Sequence, residues 1–289
     1  MTTSRPSVTR RLGGLIRLTH PFPSLLDGLA TAAFATLAGG DPSTALRLGL
    51  AMIALQASIG MLNDVIDAPH DAGHKPGKPI PAGLVSPGAA RVGVVVGAGI
   101  GLALASPSGP PTVAVALVIL GIGYGYDRYA KGTAWSWLPF AVGIPLLPVF
   151  GWLGATGTVP GSFAILLPAA VVAGAALSVA NARADLDRDS AAGVVSVATA
   201  LGAERAWTVQ AVLFGFVAGI AIGSLVATRA TPLALIGAVA GVLVISAGTW
   251  IGRDGDAQRR DRAWEAQAVG VVILAAAWLA GMVGEAGLG

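Results

Sequence analysis

The chain has 289 residues, of which 54% are hydrophobic and only 11% are charged, whereas a typical soluble domain is about 25% charged. This composition excludes an ordinary soluble domain and predicts an all-α polytopic membrane protein. The net charge of +3 is better explained by membrane topology than by nucleic-acid binding, and the lack of cysteine excludes disulfides, thiolate metal sites and cysteine nucleophiles.

Nine apolar segments are long enough to cross a bilayer, which takes about 20 residues. The expected spans are 14–38, 43–66, 88–106, 111–128, 135–154, 162–184, 203–228, 231–252 and 264–285. The first contains Asp27 and is longer than the apolar region of a signal peptide, so we expect it to be retained. We treat residues 1–289 as one domain, and the layout suggests a tandem four-helix repeat over 14–131 and 135–262.

Basic residues predict the orientation of these spans. Of the 18 Lys and Arg residues, all but Arg47 and Arg229 lie at the N-terminus, in the even-numbered connections or just inside the flanking helix ends. Because cytoplasmic segments carry the excess of Lys and Arg, we expect the N-terminus and the even connections inside and the C-terminus outside. The expected location is the bacterial cytoplasmic membrane, with the polar connections facing the cytoplasm.

The second span ends in a row of acids that two lysines follow: Asn63, Asp64, Asp67, Asp71, Lys75 and Lys78. The three aspartates are spaced i, i+3 and i+7, so a helix would present them on one face. Three like charges on one face repel unless something neutralises them. Since all the ligands are oxygen, a bound divalent cation would be Mg²⁺ rather than zinc or copper.

Aromatic and basic residues close the fourth span. Tyr126, Arg128 and Lys131 lie in the tract 124–131, directly after an apolar run. An interfacial aromatic belt would explain the tyrosines equally well. The two basic residues join the cationic side chains that are predicted to surround the acids on this face.

A second polar cluster closes the sixth span and repeats the pattern of the first. Asn181, Asp185 and Asp189 share a helical face, Arg183 lies between them, and Asp187 points away with no role assigned. As an alternative, the acids of both clusters could be solvated loop charges. However, acids at the edge of a span cost free energy, and both clusters contain them with the same Asn-to-Asp spacing. Acids, a divalent cation and lysines together suit a diphosphate group.

Asp27 lies well inside the first span. An acid at this depth is costly and marks a functional site by default. Pairing with a basic group from another helix would also explain it, so the sequence leaves both interpretations open.

Together these segments resemble the UbiA-type intramembrane prenyltransferases. Residues 63–71 are similar to the first motif of that family, NDxxDxxxD, and 75–83 to its continuation, although position 78 is commonly Arg there. Residues 185–189 resemble the second motif, DxxxD, and 126–131 resemble the Tyr/Lys element between the two. The resemblance covers essentially the whole chain.

The resemblance implies a helical bundle with a central cavity that is open to the membrane and capped by cytoplasmic connections. It implies an isoprenyl diphosphate donor, a Mg²⁺ cofactor and a small acceptor of the aromatic, quinone-precursor or other lipid-destined kind. Metal binding is then expected at Asp64, Asp67, Asp71, Asp185 and Asp189, with Tyr126 and Lys131 as further catalytic residues. Substrate binding is expected at Asn63, Asn181, Lys75, Lys78, Arg128, Arg183 and Asp27. Besides the donor and the acceptor, we expect contacts with membrane lipids and no protein or nucleic-acid partner.

Two alternatives remain at the level of sequence. A terpene cyclase of the same type would ionise the same donor but capture the carbocation with the substrate's own double bonds. A transporter or lipid-binding protein would use the buried acids for cations and would release no diphosphate.

Overall fold

The computed structural model describes residues 7–283, which contain helices, turns and bends but no β-strand. The α-helices are α1 (Val8–Leu18), α2 (Pro21–Leu37), α3 (Pro42–His74), α4 (Pro87–Ala105), α5 (Pro110–Gly125), α6 (Leu138–Gly143), α7 (Leu146–Thr156), α8 (Phe163–Ala184), α9 (Leu186–Ala191), α10 (Val197–Leu201), α11 (Ala203–Ala227), α12 (Pro232–Ile251) and α13 (Ala257–Val283). A 3₁₀ turn, Ser106–Ser108, follows α4, and a π-helical turn, Tyr126–Ala130, follows α5.

Within residues 7–283, eight helical stretches are long and apolar enough to cross a membrane. They are Pro42–Gly73, Pro87–Ser108, Pro110–Ala130, Leu138–Thr156, Phe163–Ala184, Ala203–Ala227, Pro232–Ile251 and Ala257–Met282. Each overlaps one of the predicted spans from the second to the ninth, which confirms the all-helical membrane fold. The fifth span contains a break between α6 and α7, where Pro145 precedes α7.

The first predicted span, 14–38, is divided into two helices. His20 adopts a left-handed backbone (φ 48°) between α1 and α2, and Pro21 then begins α2. At 1.5 Å per residue the 17 residues of α2 extend about 26 Å, which is short of the ~30 Å hydrocarbon core. The count of nine spans therefore stays a prediction. The tandem repeat also stays a prediction, and so does the orientation, because both chain ends lie outside the described residues.

Helix α1 is amphipathic and presents its apolar side outward. Val8, Leu12, Leu15 and Ile16 are all exposed and recur at the spacing of one helical face. Arg17, near the end of the helix, donates a hydrogen bond to the carbonyl of Gly77 at 3.0 Å. This pattern is typical of a helix that lies in the membrane interface rather than across the bilayer.

The longer helices pack around one apolar core. Helix α3 packs against α2 and α4, α8 packs against α11 and α13, and α12 packs along α13. Helix α2 also contacts α7 and α13, so it joins the two ends of the chain. Phe34, Leu48, Phe150, Leu225 and Leu279 are fully or almost fully buried in this core.

Helices α2 and α3 approach each other closely because two glycines face each other. A Cβ atom at Gly49 would lie 2.9 Å from the carbonyl oxygen of Gly28, so a larger residue would push the helices apart. Asp27 is next to Gly28 on α2, and Gln56 lies two turns after Gly49 on α3. The close approach of the two helices therefore lets Gln56 contact Asp27.

Candidate active site

One cavity of about 960 Å³ lies among α2, α3, α5, α6, α8 and α13. It contains side chains from both polar clusters, so the two clusters share a single chamber. The predicted site residues that line it are Asp27, Asn63, Asp67, Asp71, Lys75, Lys78, Tyr126, Lys131, Asn181, Asp185 and Asp189.

The acids of the first cluster surround the ammonium group of Lys78. Its Nζ lies 2.8 Å from Asp64 Oδ1, 2.9 Å from Asp71 Oδ2 and 3.9 Å from Asp67 Oδ2. Asp64 and Asp71 are each only 3% exposed, and Asp64 also contacts His20 Nε2 at 3.2 Å. Three acids that would repel one another are thus neutralised mainly by one lysine of the same chain.

This arrangement depends on the end of α3 and on the turn that follows it. The helix continues past Pro69 to His74, so all three aspartates stay on one helical face. The chain then turns back through residues 75–83, with Lys78 N bonded to the carbonyl of Lys75. Burial alone would lower the pKa of Lys78, but the hydrogen bonds and charges of Asp64 and Asp71 outweigh burial and raise it. Lys78 therefore stays positively charged.

The π-helical turn Tyr126–Ala130 contributes the third wall of the site. Lys131, directly after the turn, forms an ion pair with Asp67. Asp127 is 5% exposed and accepts a hydrogen bond from Asn63 Nδ2 at 2.9 Å. Because Asn63 donates its amide N–H to Asp127, the hydrogen bond fixes the orientation of the side-chain amide.

The second cluster lies across a helix break. Helix α8 ends after Asn181, and α9 begins just after Asp185, yet Asp189 N still bonds to the Asp185 carbonyl at 2.8 Å. Asp185 contacts Arg188 of the same cluster and lies 3.7 Å from Lys75 Nζ through Oδ2. Burial raises the pKa of the Asp189 carboxyl above its usual value. The contact with Lys75 bridges the two clusters directly.

Two residues predicted to bind substrate lie outside the cavity lining. Arg183 is 4% exposed and donates hydrogen bonds to the carbonyls of Gly252 and Arg253, at 3.1 and 3.2 Å. Arg128 is exposed. Asp187, whose role the sequence left open, pairs with Arg260. Arg183 therefore binds the connection between α12 and α13, and Asp187 binds the first turn of α13.

Several cavity residues were missed in the sequence: His20, Gln56, Asp127, Trp264 and Glu265. Asp127 could have been found, because a carboxylate at the end of an apolar run lies inside the Tyr/Lys element. Gln56 and Glu265 are polar residues inside apolar segments, which is also a usable signal. His20 carries no such signal, since only the turn before α2 brings it to Asp64.

The carboxylate oxygens of the first cluster are suitable ligands for a magnesium ion, but their present positions do not form a metal site. Among the side chains that the structure describes, no three His, Asp or Glu residues are grouped so as to hold a metal ion. Asp64, Asp67 and Asp71 nevertheless converge on one cation, the Lys78 ammonium, and their oxygens are the ligands that Mg²⁺ prefers. A metal ion at this place would take over the positive charge that Lys78 supplies.

Comparison with known proteins decides the family. The sequence profile of the UbiA prenyltransferase family matches residues 24–271. The chain belongs to this family. The resemblance seen in the motifs is thereby confirmed, and the chain is a prenyltransferase. A search of curated protein sequences gave no significant match.

Solved structures share the fold along nearly the full length of the chain. A structure of digeranylgeranylglyceryl phosphate synthase has a TM-score of 0.70 at 13% identity, covering 95% of this chain and 99% of that one. A UbiA homologue from Aeropyrum pernix K1 has a TM-score of 0.70 at 17% identity, covering 91% and 98%. A UbiA homologue from Archaeoglobus fulgidus, bound to GPP and Mg²⁺, has a TM-score of 0.68 at 19% identity, covering 90% and 99%. The predicted cofactor is therefore present in a member of the family.

Proposed function

We propose that this chain is a Mg²⁺-dependent intramembrane prenyltransferase. It transfers an isoprenyl group from an isoprenyl diphosphate to a small, lipid-destined acceptor and releases diphosphate. The observation that supports this most directly is the shared cavity, in which Lys75 of the first cluster lies 3.7 Å from Asp185 of the second. A diphosphate between the clusters would meet both sets of side chains.

Asp64, Asp67 and Asp71 would hold one magnesium ion, and Asp185 and Asp189 a second. When bound, Mg²⁺ supplies positive charge to the diphosphate oxygens. Their role as ligands is supported by their oxygen chemistry and by the convergence of the first three on one ammonium group.

The remaining polar residues would bind and orient the donor. Lys75, Lys78 and Lys131 can donate N–H hydrogen bonds to the diphosphate, and charge-assisted bonds of this kind are the strong ones. Asn63 and Asn181 would add neutral contacts. As the allylic C–O bond breaks, its electron pair leaves with the diphosphate, where the lysines stabilise the added negative charge. The acceptor supplies the electron pair of the new bond and releases a proton, which the departing diphosphate can accept.

The apolar end of the cavity suits the isoprenyl chain. A smaller apolar pocket of about 70 Å³ shares Ile144 and Leu147 with the main cavity and continues between α2, α8, α11 and α13. Its lining is made only of apolar side chains, including Phe34 and Trp278. The donor chain can extend there while its diphosphate stays among the charged residues. Exclusion of water from such a site protects a carbocation until the acceptor attacks.

The metal ligands provide the test. Purified protein in lipid nanodiscs is incubated with Mg²⁺, geranyl diphosphate and a membrane extract as the acceptor source, and prenylated product and released diphosphate are measured. Asp67→Ala and Asp185→Ala should each lower turnover at least about 100-fold, the scale of a lost transition-state charge contact, while both variants still insert into the membrane. EDTA should abolish wild-type activity.

Asp254→Ala is the matched control, because Asp254 is an exposed aspartate that does not line the cavity. It should keep wild-type turnover. Full activity in EDTA, or in either cluster variant, would contradict the proposal. Abundant hydrocarbon product from donor alone would identify a cyclase instead, and ion-driven flux without diphosphate release would identify a transporter.

A further inference from the structure

A second polar site lies deeper in the same cavity than the aspartate clusters. Asp27 Oδ2 of α2 accepts a hydrogen bond from Gln56 Nε2 of α3 at 2.7 Å, and both residues line the cavity. Gln56 precedes Asp64 by eight residues on α3, which places the pair about 12 Å further into the membrane. The proposed diphosphate site does not use this pair.

Asp27 is not explained as half of a structural ion pair. Its partner is a neutral amide, and among the side chains that the structure describes it has no hydrogen bond or ion pair with Lys, Arg or His. Its other oxygen, Oδ1, makes no hydrogen bond to the described protein atoms. Since an acid at this depth in the membrane is costly, a carboxylate that Gln56 holds through Oδ2 and whose Oδ1 stays without a hydrogen bond suits a ligand with a hydrogen to donate.

The charges around the cavity argue against a carboxylate ligand at this depth. Its cationic side chains are those of the clusters and the cytoplasmic turns: His20, His70, Lys75, Lys78, Lys131 and Arg188. Glu265 of α13 is a further acid in the cavity wall. An anionic ring beside Asp27 would meet like charge and no cation, which costs affinity.

Two aromatic pairs line the same cavity. Phe22 and Trp264 meet edge to face with ring centroids 5.7 Å apart, and Tyr126 and Phe140 do so at 5.8 Å. All four side chains belong to the cavity lining. Such walls favour a planar ring through further edge-to-face or offset contacts.

We propose that Asp27 and Gln56 form the acceptor subsite and select a hydroxylated aromatic ring that carries no carboxylate. Its hydroxyl donates a hydrogen bond to Asp27 Oδ1, and Gln56 holds the carboxylate in place. This inference rests on the proposed transferase function and narrows its acceptor class.

The test compares two acceptors that differ only in the group opposite the phenol. Protein in nanodiscs with Mg²⁺ and geranyl diphosphate is offered hydroquinone or 4-hydroxybenzoate, and each prenylated product is quantified by mass spectrometry. Both rings can donate a phenol hydrogen to Asp27, but only 4-hydroxybenzoate brings a carboxylate into repulsion with it. The wild type should therefore use hydroquinone with a kcat/KM at least about tenfold higher, the scale of one like-charge contact near a protein surface.

Substitutions then assign the selectivity to Asp27. Asp27→Asn keeps the shape and removes the charge, so the KM for hydroquinone should rise about tenfold and the preference over 4-hydroxybenzoate should shrink. The KM for geranyl diphosphate should change less than twofold, which a general structural defect would not allow. Gln56→Leu, which removes the orienting donor, should show the same split, and Glu204→Gln, exposed and outside the cavity, should behave as wild type.

Three results would overturn the inference. They are a wild-type preference for 4-hydroxybenzoate, no transfer to either ring although the donor binds, and unchanged selectivity in Asp27→Asn. Donor binding is measured separately, as Mg²⁺-dependent thermal stabilisation by geranyl thiodiphosphate. Failure of the wild type in that measurement would remove the proposed function and this inference with it, whereas donor binding without the expected selectivity would overturn the inference alone.

Discussion

Lys78 is the residue on which the charge balance of the site depends. Its Nζ lies within 4 Å of three carboxylates, and two of these are almost fully buried. Removing one partner of such a buried group leaves uncompensated charge, which is strongly destabilising. In the absence of metal, Lys78 therefore holds the three acids together in the folded protein.

Lys78→Met should destabilise the protein in EDTA by about 1–3 kcal/mol, because buried acids lose their hydrogen-bonded cation. Mg²⁺ should raise the melting temperature of this variant more than that of the wild type, since the ion no longer competes with an ammonium group. Thermal unfolding in nanodiscs, with EDTA and with Mg²⁺, measures both effects.

Arg205→Met is the control for Lys78→Met, because it removes an exposed positive charge at the start of α11. Its melting temperature should respond to Mg²⁺ as the wild type does. An equal response to Mg²⁺ in Lys78→Met and the wild type would show that Lys78 and the ion do not share a place.

At the scale of elements, α8 connects the charged and apolar ends of the cavity. Its C-terminal part carries Asn181 into the polar cluster, while Ala169, Ala170 and Ala173 line the smaller apolar pocket. Small side chains at these positions leave the space into which an isoprenyl chain would extend. Under the proposed function, this helix would set how long a donor fits.

Ala170→Phe should shorten the accepted donor. The added ring fills the apolar pocket, so kcat/KM for a twenty-carbon donor should fall by about tenfold or more, the effect of a clash in a packed site, while the ten-carbon donor is affected less. Donor competition with product analysis by mass spectrometry gives the ratio. Ala164→Phe, on an exposed position of the same helix, should leave the ratio unchanged, and an equal loss for both donors in Ala170→Phe would be inconsistent with this path.

For the whole molecule, the distribution of positive charge predicts the orientation in the membrane. The lack of cysteine makes this testable with single introduced thiols. Thr158, in the turn after α7, and Asp254, in the connection before α13, are both exposed. They lie in connections that the charge distribution assigns to opposite sides.

Thr158→Cys should react with a membrane-impermeant maleimide in intact bacterial cells, and Asp254→Cys only after the cells are permeabilised. The cysteine-free parent should not react in either case. The reverse labelling pattern would place the aspartate clusters on the outer side and would refute the predicted orientation.

The sequence was sufficient for the features that periodicity and chain order determine. Asp67 and Asp185 could be assigned to one site because each follows an apolar span at a repeated spacing. Contacts between distant segments were not visible, and so Asp127, 64 residues from its partner Asn63, was overlooked. For a related reason the sequence did not reveal that Arg183 donates to the carbonyls of Gly252 and Arg253: a cation beside the acids binds backbone carbonyls as readily as phosphate, and only the fold separates the two.

The amphipathic helix α1 would connect the bilayer surface to the candidate active site. Its outward apolar face suits the headgroup boundary, and Arg17 attaches it to Gly77, one residue before Lys78. A change in lipid thickness or headgroup charge that shifts this helix would also shift the turn that carries the lysine. We expect turnover in micelles to underestimate turnover in native-like bilayers, so the lipid composition is a variable of catalysis rather than a detail of sample preparation.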